Sequence, residues 1–131
     1  MKRTFYHGLA AGALAALAAI GYNKVYQFVL GPDFSKILNP ATLVSANIIC
    51  GLVISAGYFL FAKMVKRNTD VWFNIILTAF TFSSLIIPIS IDLPLDITQP
   101  ELFLGLVAPL HLLPQLFWLT SKPLFKYGQP E

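Results

Sequence analysis

The chain has 131 residues, of which 56% are hydrophobic and only 11% charged, with a formal net charge of +3. Soluble domains carry about 25% charged residues, and a soluble chain this short buries only about two-thirds of its surface. The composition therefore argues against a water-facing domain. The bases cluster at the ends of apolar runs and build no basic face, which argues against nucleic-acid binding. One cysteine, Cys50, permits neither an intrachain disulfide nor a CxxC redox pair, and it reads as a small buried hydrophobe.

In chain order, Lys2 and Arg3 precede an alanine-rich run over residues 9–20. That start mimics a secretory signal, with Ala16-Leu17-Ala18 at a cleavage position. Apolar character continues through Val25, Phe28 and Leu30, so the run predicts a retained first helix over 4–30. At ~1.5 Å per residue it exceeds the ~30 Å hydrocarbon core and should tilt. Tyr22, Tyr26 and Phe28 suit an interfacial belt. Gly31-Pro32 supplies the stop.

Asn39-Pro40 predicts a capped start for a second span over 40–63, which closes on Lys63, Lys66 and Arg67. A third span covers 70–91, with Trp72 at the interface. The fourth covers 99–120 and opens on Thr98-Gln99-Pro100-Glu101, the spacing of a capping box, with Trp118 at interfacial depth near its end. Pro88, Pro109 and Pro114 interrupt the last two spans. Each frees the carbonyl four residues earlier, on Ser84, Gly105 and Leu110, and lipid offers no partner for them. Gly105 beside Pro109 marks the expected kink.

The fold expected is all-α: a single domain over 1–131, with four transmembrane helices in an antiparallel bundle. Seven of the nine bases fall in the amino terminus, the middle loop and the tail, against Lys24 and Lys36 elsewhere. Those three segments share one side of a four-span chain, so both termini are expected in the cytoplasm. In size, span pattern and the histidine of its last span, the chain resembles the small uncharacterised four-span proteins of bacterial inner membranes. That resemblance implies a multi-pass protein of the inner membrane and no particular activity.

The sharpest motif is Pro109-Leu110-His111-Leu112-Leu113-Pro114-Gln115. An ionisable group at mid-membrane is a candidate site for a ligand or a proton. Alternatively, His111 hydrogen-bonds a proline-freed carbonyl, Asn47, Ser83 or Ser84. A haem would need a paired ligand at similar depth, and His7 falls roughly 10 Å away along the membrane normal by helix rise. No second ligand lies at helical spacing from His111, so no metal and no cofactor is expected. Asp92, Asp96 and Glu101 form an acidic loop that reads as solvated, with a pore mouth as the sharper alternative.

Asn47, Gly51 and Ser55 repeat every four residues in span two, as do Gly8 and Gly12 in span one. Small residues mark helix-packing faces in lipid, either inside the monomer or against another subunit. No nucleophile elbow, phosphate loop or paired carboxylates occur, so the chain is not expected to be an enzyme. The expectation is an accessory or structural subunit that docks on a larger membrane complex or associates with itself through spans one and two. The alternatives are a small oligomeric transporter or channel with a cavity at His111, Asn47 and Gln115, and a quinone- or haem-binding redox subunit.

Overall fold

The computed structural model describes residues 2–91 and 99–125. Its elements are α1 (Lys2–Leu30), α2 (Pro40–Met64), α3 (Thr69–Ser84), the short α4 (Ile86–Ile89), α5 (Glu101–Ser121) and a final 3-10 turn (Lys122–Leu124). Among the described residues there is no strand. Four helical stretches are long and apolar enough to cross a bilayer: α1, α2, α3 with α4, and α5 with its 3-10 turn. They pack antiparallel, with α1 in the middle between α2 and α5, and α3 against the flank of α2 and α5.

The helix ends follow local chemistry. Gly31 takes a φ of 87°, and its N–H still reaches the Gln27 carbonyl at 2.9 Å. This is the left-handed stop that glycine allows without a Cβ clash. The next residues fold back over the bundle: Phe34 is 1% exposed and meets the Phe103 ring edge-on at 5.4 Å. Ser35 N–H donates to the Asp33 carboxylate at 2.8 Å, and this bond holds the Asp33 carboxyl below its ordinary range. Asn39 caps α2 by accepting from the Thr42 N–H at 2.8 Å, with Pro40 in the first turn.

The prolines of the last two spans act differently. The third span ends its regular helix at Ser84 and restarts at Ile86, because Pro88 has no N–H for the Ser84 carbonyl. In contrast, α5 runs as one continuous helix through Pro109 and Pro114. Its start departs from the expected box. Thr98 lies outside the described residues, Pro100 is the N-cap, and Glu101 is the first helical residue rather than the third.

Tight packing between α1 and α2 explains the small residues. A Cβ on Gly8 would lie 2.5 Å from the Gly51 carbonyl oxygen and the Ser55 Cβ, and one on Gly12 would lie 2.8 Å from the Asn47 carbonyl oxygen. These backbones touch, which only glycine permits. Two apolar clusters close the ends. One joins Ala19, Phe34, Leu43, Phe103, Leu106 and Leu110. The other joins Ala11, Ile54, Tyr58, Phe73 and Trp118, at the end that also carries Lys2, Arg3, Lys63, Lys66 and Arg67 (the basic end). Cys50 is exposed on the outside of α2, not buried as expected, since α1 covers the opposite, Gly51-bearing face.

Candidate functional site: a polar seam between α3 and α5

A row of polar side chains joins α3 to α5 and its final turn, in register. Lys122 Nζ is 2.9 Å from Asp70 Oδ1, and Tyr58 Oη donates to the same oxygen at 2.5 Å. Further along, Gln115 Nε2 donates to Thr78 Oγ1 at 2.5 Å. Last comes His111, whose Nε2 lies 2.7 Å from Ser84 Oγ. Ser84 Oγ is also 2.7 Å from the Thr81 carbonyl, which can only accept. One hydroxyl proton cannot serve both contacts, so it goes to Thr81, and His111 donates from Nε2. From Asp70 to Ser84 the seam climbs fourteen residues, ~21 Å at helical rise.

By the same register, Asn74 falls opposite Trp118, between the Asp70–Lys122 and Thr78–Gln115 pairs. Asn74 Oδ1 and Trp118 Nε1 are both buried and have no hydrogen-bond partner among the described residues. One can only accept and the other only donate. Trp118 is fully buried. It fills the centre of the basic-end cluster, against Tyr58 at 5.7 Å and Phe73 at 6.1 Å between ring centroids.

Of the expected site residues, His111, Ser84 and Gln115 come together on this seam. Asn47 does not. It is buried where α2 meets α1, and its amide donates to the Leu43 carbonyl of its own helix at 2.7 Å. Asn47 is therefore not one of the residues of this seam. Ser83 is exposed and its neighbour Ser84 takes the histidine. Of the acidic loop, Asp92 and Asp96 lie outside the described residues, and Glu101 is exposed.

The proline-freed Gly105 carbonyl finds its donor across the bundle. Tyr22 Oη reaches it at 3.0 Å, and Tyr26 Oη donates to the Leu102 carbonyl at 2.6 Å. These two tyrosines thus face α5, whereas Phe28 alone of the expected belt is almost fully exposed. The bonds help explain why α5 stays helical beside Pro109.

In the sequence, His7 figures only as a second haem ligand, and its place in the core goes unanticipated. His7 is fully buried, stacked on Trp118 at 4.0 Å and on Phe125 at 4.9 Å. Its Nε2 lies 3.0 Å from the Trp118 carbonyl and 2.9 Å from Ser121 Oγ. The available signal was spacing: Thr4, His7, Ala11, Ala15 and Ala19 recur every three or four residues, and His7 shares their buried face. His7 and His111 belong to separate clusters with separate partners, and among the described residues no three His, Cys, Asp or Glu side chains converge on a metal position.

No family model, curated protein or solved structure matches the chain.

Proposed function

We propose that the chain is a multi-pass protein of the bacterial inner membrane, with both termini cytoplasmic, serving as an accessory or structural subunit through helix–helix association. One observation carries this reading. The third span is only 17% buried over its apolar window, against 44% for α1. Polar bonds hold α3 on α5, while Trp72, Ile75, Ile76 and Phe80 point outward and are exposed. The small-residue faces are already used between α1 and α2. Association with a second copy or a larger complex therefore falls to the outer face of α3.

Site-directed crosslinking in native membranes tests it. With Cys50→Ser as background, a cysteine in place of Ile76 or Phe80 should crosslink to another polypeptide, and one in place of Leu17 on α1 should not. Crosslinks from neither α3 position would overturn the reading.

A second reading, a small proton-conducting transporter, is supported by the seam itself. It combines Asp70, His111 and an unpartnered donor and acceptor within ~21 Å of membrane thickness. Proton flux into liposomes that disappears in His111→Gln, which cannot titrate near neutral pH, would favour it over the first.

A further inference from the structure

At the basic end, a groove of about 530 Å³ runs between the first turns of α1 and the last turns of α2. Its walls are Phe5, Tyr6, Leu52, Ala56 and Phe59, with Lys2 at its head. The volume lies within the range of small-molecule sites. The polar groups behind it are already engaged: Ser55 Oγ donates to the Thr4 carbonyl at 2.8 Å. The groove thus has a mainly apolar lining and a single ammonium, that of Lys2. That is the polarity of a phospholipid, with an acyl chain along Leu52 and Ala56 and an anionic headgroup at Lys2.

We propose that this groove is a binding site for one anionic phospholipid. The charge around it selects the headgroup. Arg3, Lys63, Lys66 and Arg67 share this end of the bundle. The acid described there, Asp70, is taken by Lys122 and Tyr58 and leaves Lys2 to the ligand. Tyr6 and Phe59 flank the trough at the depth where aromatic rings meet headgroups. The proposal rests on the membrane placement given above, which alkaline extraction of membranes tests separately.

The experiment is native mass spectrometry of the full chain, purified in mild detergent, stripped of lipid, and incubated with phosphatidylglycerol or phosphatidylcholine of matched acyl chains. One phosphatidylglycerol should be retained in preference to phosphatidylcholine. Lys2→Gln should reduce that preference about fivefold, the worth of one basic side chain at an anionic surface, and leave phosphatidylcholine unchanged. Ala56→Phe, which fills the trough from an exposed position, should lower retention of both. Equal retention of the two lipids, an unaffected Lys2→Gln protein, or a second copy of the chain retained in place of lipid would each overturn the proposal. Lys2→Gln lies at the exposed start of α1 and keeps the test decisive even where Ala56→Phe does not fold.

Discussion

His111 and Ser84 form a pair whose energy can be isolated. In lipid, interhelical hydrogen bonds contribute about 0.6 kcal/mol on average and up to about 1.7. A double-mutant cycle of His111→Ala and Ser84→Ala, read by reversible unfolding in mixed micelles, should return a coupling in that range. His111→Gln should retain most of the stability, because the amide still donates. Tyr22→Phe should cost about 0.6 kcal/mol and at most about 1.7, since it strips the Gly105 carbonyl of its donor beside Pro109; unchanged melting would show that water or another group serves instead. The sequence made His111 visible because a histidine amid leucines is conspicuous. His7 carried less weight, as a residue near the start of the first span. Spacing with the buried alanines places it on the inner face, and its ring partners Trp118 and Phe125, more than a hundred positions away, came only from the structure.

Among the helices, α1 and α2 should tolerate changes very unequally. Gly51→Leu drives a side chain into the backbone of Gly8 and Gly12, and overpacking of this kind costs about 1–3 kcal/mol or more. Gly21→Ala meets nothing within 4 Å and should stabilise α1 by about 0.5–1 kcal/mol through helix propensity. Thermal denaturation of the two variants should therefore shift in opposite directions. Helix starts and stops governed by local chemistry were legible in advance, as at Asn39-Pro40 and Gly31. The fates of the prolines were not. Pro88 interrupts its span while Pro109 and Pro114 do not, and the difference depends in part on Tyr22, which arrives from another helix. Likewise, a four-residue repeat of small side chains announces a contact face without saying which neighbour occupies it.

For the molecule as a whole, the distribution of bases and an even number of spans point to the same end, where Thr4, His7, Ser55, Ser121 and Phe125 meet. Reporter fusions at either terminus should both be active in the cytoplasm and silent in the periplasm; opposite behaviour of the two would contradict the bundle. The order of packing around α1 could not be read from periodicity, because α1 is buried against α2 on one side and α5 on another. The clasp around His7 has a consequence for biosynthesis. The imidazole belongs to α1, but the rings and carbonyl that enclose it are synthesised more than a hundred residues later. The glycine-lined hairpin of α1 and α2 can form early, while His7 waits for α5. Closing this protein is thus a late event, and the last helix acts as the latch.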